Sequence, residues 1–145
     1  MNVHAILAAK GNEVATIGQK ASLAEAANEL RERGIGALVV SDDGTHIDGI
    51  LSERDIVRAL AAHGANALGR TVASAMSTEV ITCVDADPVE RLMGQMTEQR
   101  IRHLPVVGND DELVGIVSIG DIVKTRLGQL ENENQALSDY ITHGR

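Results

Sequence analysis

Apolar residues recur along this chain in two alternating rhythms. Short runs such as "EVATI" (13–17), "ALVVS" (37–41) and "IDGILS" (47–52) read as strands rich in Val and Ile. Between and after them the spacing changes to three and four. Leu23, Ala26, Ala27 and Leu30 mark one helical face, and "ERDIVRAL" (53–60) predicts a second helix. Ser22 suits the N-cap of the first helix, and Gly34 suits the position just past its end. "ALVVS" is almost unbroken in apolar character, which predicts a strand buried on both faces. "DDGTH" (42–46) supplies a hairpin turn.

The same order returns 66 residues later. "EVITC" (79–83) predicts a strand. Pro88 opens a helix carrying Val89, Leu92, Met93 and Met96 on one face. "HLPVVG", the turn "NDDE", "LVGIVS" and the helix "GDIVKTRL" follow. Laid over one another without gaps, residues 13–60 and 79–126 are identical at 13 of 48 positions. This is an internal repeat. Its sharpest element is "GILSERD" (49–55) over "GIVSIGD" (115–121).

Each unit reads β-α-β-β-α and is too short to bury both faces of its own sheet. The reading is therefore one α/β (α+β) domain of two pseudo-symmetric units packed sheet to sheet, with a C-terminal helix. The boundaries fall at 3–62 for the first unit, 63–79 for a linker, 80–127 for the second unit and 128–145 for a helical tail. The linker is rich in Ala and Gly, and its "TVASAM" (71–76) predicts a short helix. In the tail, Leu127, Leu130, Asn134, Leu137 and Ile141 follow a 3-4-3-4 spacing. That stripe fits a two-stranded seam with a polar residue at one a position, and equally a single helix docked on its own domain.

Composition narrows the function classes. The net charge of −8 argues against an electrostatic grip on nucleic acid or acidic lipid, while leaving room for a local basic cleft. Tyr140 is the only aromatic residue. The single Cys83 excludes an internal disulfide and fits a reducing cytosol. "MNVHAILAAKG" has too short an apolar core for a signal peptide, and no stretch approaches 18 apolar residues. A cytoplasmic protein with no membrane partner is expected.

Two β-α-β-β-α units, each closing on glycine, two aliphatics, serine, two variable residues and aspartate, with "RHLPVV" in the second, resemble a tandem pair of cystathionine-β-synthase (CBS) domains, or Bateman module. The chain looks like the stand-alone bacterial kind. The resemblance covers about residues 3–127. It implies a cleft between the units that binds an adenosine compound, AMP first among them, with ADP, ATP, NAD(H) and S-adenosylmethionine as further candidates. It also implies a disc-like homodimer and a downstream protein partner that the sequence does not identify.

The residues supply chemistry for that expectation. The two oxygens of an ionised carboxylate can accept both hydroxyls of a ribose, which points to Asp55 and Asp121. Ser52 and Ser118, with the helix starts that follow, could meet a phosphate. The same S-x-x-D spacing also reads as a helix-capping signal, and the two roles can coexist. Ile17, Leu38, Ile81 and Leu104 offer aliphatic walls for a base. The resemblance carries ligand contact onto Thr16, Gly36, Ala37, Leu38, Ser52, Arg54 and Asp55 in the first unit. In the second it carries it onto Thr82, Arg102, His103, Leu104, Pro105, Ser118, Gly120 and Asp121.

The two halves differ in cations. Arg102 and His103 stand where the first unit has Gly36 and Ala37, and Arg54 stands where the second has Gly120. A guanidinium holds phosphate oxygens in a fork, so the second half-site is expected to be the stronger for a phosphorylated ligand. No P-loop, Ser-His-Asp arrangement or metal-ligand spacing is present, so neither an enzyme nor a metal or cofactor requirement is expected. A ligand sensor is the first reading. A dimeric scaffold with a vestigial cleft and, behind it, an enzyme with an unrecognised site are the alternatives, the scaffold separable by ligand titration and the enzyme by turnover of a bound ligand.

Overall fold

The structure, a computed structural model, describes residues 1–143. In the first unit, β1 (Thr16–Ile17) runs parallel to β2 (Ala37–Val40), which pairs antiparallel with β3 (Gly49–Ser52). α2 (Leu23–Arg33) joins β1 to β2. Its cap is Ser22, whose hydroxyl accepts the Glu25 N–H, and it ends at Gly34 in the left-handed region, φ 63°. α3 (Glu53–His63) leaves β3 directly. In the second unit, β4 (His103–Val107) and β5 (Leu113–Ser118) pair antiparallel. α5 (Val89–Gln99) precedes them and α6 (Ile119–His143) follows.

One expected strand is missing. "EVITC" makes a single bridge, Cys83 to Val106, where its repeat partner forms β1. The cause is Pro105. In the first unit the Val39 N–H donates to the Ala15 carbonyl, and the Ser41 N–H to that of Ile17. Pro105 replaces Val39 and has no N–H to give, so only the bonds around Cys83 remain. The loop after β2 is also wider than a tight hairpin turn. The Ser41 hydroxyl donates to the His46 carbonyl, and Asp43 gathers the Thr45 and His46 N–H groups.

An element the sequence reading did not assign is α1 (Val3–Lys10), capped by the Asn2 side chain. Val3, Ile6 and Leu7 join Cys83, Val89, Leu92, Leu104 and Val117 in the core of the second unit. The expected short helix is α4 (Val72–Ala75), and its Val72 joins Leu23, Leu38, Leu51 and Ile56 in the core of the first. The two attachments match. Val3 N–H donates to the Asp87 carbonyl and Val89 N–H to that of Met1. Val72 N–H donates to the Ala21 carbonyl and Leu23 N–H to that of Arg70. Each unit's core is thus completed by the segment that leads into the other unit, which makes the pair one cooperative domain.

This exchange explains the glycine that opens each repeated motif. A Cβ at Gly49 would lie 2.7 Å from the Ser77 carbonyl oxygen, and one at Gly115 would lie 2.8 Å from Leu7 Cδ2. Both glycines let a lead-in segment cross the last strand closely.

α6 begins in the core, with Ile122 fully buried, and then leaves the body. Residues 131–142 are all exposed, so the far half of the tail does not dock on its own domain.

Candidate functional site

β3 and β5 end at Ser52 and Ser118, and a helix starts at the next residue in each case. Ser52 N–H donates to Asp55 Oδ2 at 2.8 Å, and Asp55 N–H donates back to Ser52 Oγ at 3.4 Å. Ser118 N–H donates to Asp121 Oδ2 at 2.9 Å, and Asp121 N–H to Ser118 Oγ at 3.1 Å. The S-x-x-D strings are therefore capping boxes. Each box employs one carboxylate oxygen, and among the described residues Oδ1 has no hydrogen-bond partner.

Both boxes open on one cleft of about 1260 Å³ between the units. Its lining follows the repeat: Ala15 with Ile81, Ala37 with His103, Ile50 with Ile116, Ser52 with Ser118 and Asp55 with Asp121. Of the residues expected at a ligand, the cleft gathers Gly36, Ala37, Ser52, Arg54, Asp55, Arg102, His103, Ser118, Gly120 and Asp121. At its floor the units come close, since a Cβ on Gly36 would lie 3.3 Å from His103 Cε1.

Five expected residues fall elsewhere. Leu38 and Leu104 are fully buried in the two cores and cannot be walls for a base. Strand alternation is the reason, because Ala37 and His103 face the cleft and the next residue of each strand faces inward. Pro105 is buried beyond the cleft, Thr82 is exposed outside it, and Thr16 is half-buried in β1 and is not among its lining residues. Ile17 packs on the first core, while Ile81 does line the cleft. The aliphatic surface is supplied instead by Ile50 and Ile116, which the sequence reading passed over although they flank the serines two residues upstream.

Electrostatically the cleft departs from the rest of the molecule. Six permanent cations line it, namely Lys10, Arg33, Arg54, Arg58, Arg100 and Arg102. Five carboxylates oppose them, Glu13, Glu53, Asp55, Glu79 and Asp121. The site is thus slightly positive inside a chain of net charge −8. Lys10 was missed because α1 was not recognised. Arg33 and Arg100 sit at the ends of α2 and α5, where only the fold turns them toward the strands.

Lys10 makes the half-sites unequal. Its Nζ lies 2.7 Å from Asp121 Oδ2 and donates to the Ile116 carbonyl at 2.7 Å. Burial disfavours the charged form of Asp121, but the bonds from Lys10 and Ser118 outweigh it and hold the carboxyl below its ordinary value. Among the described residues, Asp55 has no cation at ion-pair distance. Burial, with Arg102 adding, pushes His103 below its usual value, so a neutral imidazole faces the cleft at pH 7. Away from the cleft, burial with the charge of Asp87 raises the Cys83 thiol to about 12, which removes it as a nucleophile.

The family model for the CBS domain matches twice, at residues 11–62 and 72–128. The chain belongs to the CBS-domain family. It is a tandem CBS pair, and α1 with Lys10 and most of the tail lie outside the matched stretches. A CBS domain-containing mitochondrial protein of Arabidopsis thaliana is 36% identical over 124 residues. The match covers 83% of this chain but 60% of that relative, so the chain spans less than two thirds of its length. The crystal structure of a CBS-domain containing protein from Agrobacterium tumefaciens is 43% identical with a TM-score of 0.84, covering 87% of this chain and 99% of the other. A CBS domain protein from Pyrobaculum aerophilum complexed with AMP is 30% identical with a TM-score of 0.72, over 83% and 89%. A CBS domain pair in complex with 5′-methylthioadenosine and S-adenosyl-L-methionine is 29% identical with a TM-score of 0.79, over 89% and 98%. Among the described residues, no helix of this CBS pair is long and apolar enough to cross a membrane.

Proposed function

We propose that this CBS pair is a non-catalytic regulatory module that binds an adenosine phosphate, with AMP preferred, in the cleft between its units. The observation that carries the reading is the pairing of two capping boxes across one slightly positive, aliphatic-walled cleft. Asp55 takes the ribose diol with its uncommitted Oδ1. Ile50, Ile81 and Ile116 cover the base, and Arg102 with Lys10 meets the phosphate. Lys10 already neutralises Asp121, which moves the weight of ribose recognition from the second unit to Asp55. The AMP and S-adenosylmethionine complexes of related CBS pairs support the ligand class. ATP and NAD(H) fit the same reading with a longer phosphate end.

The reading includes a cytoplasmic homodimer that passes the bound state to a protein partner. The lone, buried Cys83 supports a reducing compartment, and the exposed apolar stripe of α6 supports the dimer.

Calorimetric titration with AMP, ATP, NADH, S-adenosylmethionine and adenosine tests the reading. Saturable binding of AMP, tighter than adenosine, with unchanged AMP recovered afterwards, is the expected result. Heat-silent titrations with all five would leave a scaffold with a vestigial cleft, and turnover of a ligand would make the protein an enzyme.

A further inference from the structure

The far half of α6 is a helix without a body to lie on. Residues 131–142 are exposed throughout, yet Val123, Leu127, Leu130, Leu137 and Ile141 form one apolar line with relative exposures of 49%, 55%, 46%, 59% and 65%. Their spacing of four, three, seven and four puts Val123, Leu130 and Leu137 at d positions, and Leu127 and Ile141 at a. Asn134 fills the intervening a position. The stripe thus extends one residue group further toward the domain than the tail alone. An isolated helix of this length is marginal in water, so this line needs a cover.

Two features specify which cover. A single Asn at an a position is satisfied by its own copy across a parallel two-stranded seam, and it fixes that register. In the same register a g residue faces the e residue five positions further on in the partner. Arg126 is at g and Glu131 is at e, so each would meet the other's copy twice around the two-fold axis. Among the described residues Arg126 reaches only Gln129, at 2.8 Å, and more distantly Glu90, at 3.7 Å, and Glu131 has no hydrogen bond or ion pair. The charges on the helix therefore complement a second copy of this chain in parallel.

We infer that residues 123–141 of α6 form a parallel two-stranded coiled coil with a second copy of this chain, registered by Asn134 and by Arg126–Glu131 pairs. This rests on the homodimeric part of the function proposed above and names its interface. It holds the two cleft-bearing bodies at the same end of one stalk.

The full-length Leu137→Cys variant tests it, because Cys83 is buried and leaves the new thiol as the reactive one. Residues facing one another at d come within disulfide reach. Mild oxidation should convert most of the protein to a covalent dimer, whereas Gln135→Cys, on the outer face, should cross-link little. Arg126→Glu should weaken the dimer roughly tenfold, and adding Glu131→Arg should restore it. A dimer by light scattering with no Leu137→Cys cross-link, or with equal cross-linking at both positions, overturns the seam and leaves the homodimer standing. A 15.4 kDa species alone at micromolar concentration overturns both. Ligand titration of the same sample reports separately on the cleft.

Discussion

Lys10 Nζ sits 2.7 Å from Asp121 Oδ2, so the first helix of the chain closes an ion pair on the last cap of the repeat, 111 residues away. The pair is largely covered, with side-chain exposures of 30% and 22%. Because the folded carboxyl is held below its ordinary value, its stabilisation is fully present above the unfolded value of about 3.9 and fades as pH falls through the folded one. Lys10→Met should therefore unfold more easily in urea by about 1 kcal/mol at pH 7. The gap between variant and parent should close as pH falls through the lowered folded value of Asp121. A gap that persists in acid would mean that the loss comes from packing of α1 instead.

The same pair sets the order of two ligand-site variants. Removing a charged hydrogen-bond partner that no cation already neutralises costs about 1.5–3 kcal/mol, or roughly 10- to 150-fold in affinity. Asp55→Ala should weaken AMP binding by that factor. Asp121→Ala should cost clearly less, because it also frees Lys10 for the phosphate. Calorimetry at one fixed salt concentration compares them, since exposed charge contacts are salt-sensitive. The opposite order would return the ribose to the second unit.

Arg100 ends α5 at φ 55°, where its repeat partner is Gly34 at φ 63°. A left-handed backbone costs a non-glycine residue about 1 kcal/mol or slightly more. Arg100→Gly should raise the melting temperature by a few degrees. It should also weaken AMP relative to adenosine by removing a cation from the cleft. Thermal scanning and titration on one sample read both signs.

The repeated glycines should tolerate substitution unequally. A Cβ at Gly49 meets a backbone oxygen at 2.7 Å, whereas one at Gly115 meets the movable tips of Leu7 at 2.8 and 2.9 Å. Gly49→Ala should destabilise by about 1–3 kcal/mol and Gly115→Ala by less. Adding Leu7→Ala to Gly115→Ala should cost less than the sum of the two single changes, a coupling that denaturant unfolding measures.

The sequence by itself determined what is local and repeated. Period-2 and period-3.6 patterns placed α2, α3, β2, β3 and their second-unit partners. Ser22 and Gly34 fixed the ends of one helix, and the S-x-x-D spacing located the two capping boxes with Ser52, Asp55, Ser118 and Asp121. The family resemblance carried the pair architecture. The tertiary structure decided what depends on distant neighbours. α1 carries short local signals, the Asn2 cap, Val3, Ile6 and Leu7 at helical spacing and Gly11 past its end, but at eight residues only its place over the second core makes it a lasting helix and brings Lys10 to Asp121. Pro105 shortened a ladder whose missing donor matters only once "EVITC" lies beside it. Leu38 and Leu104 left the cleft because strand alternation fixes which residues share a face, but only packing fixes which face is the core.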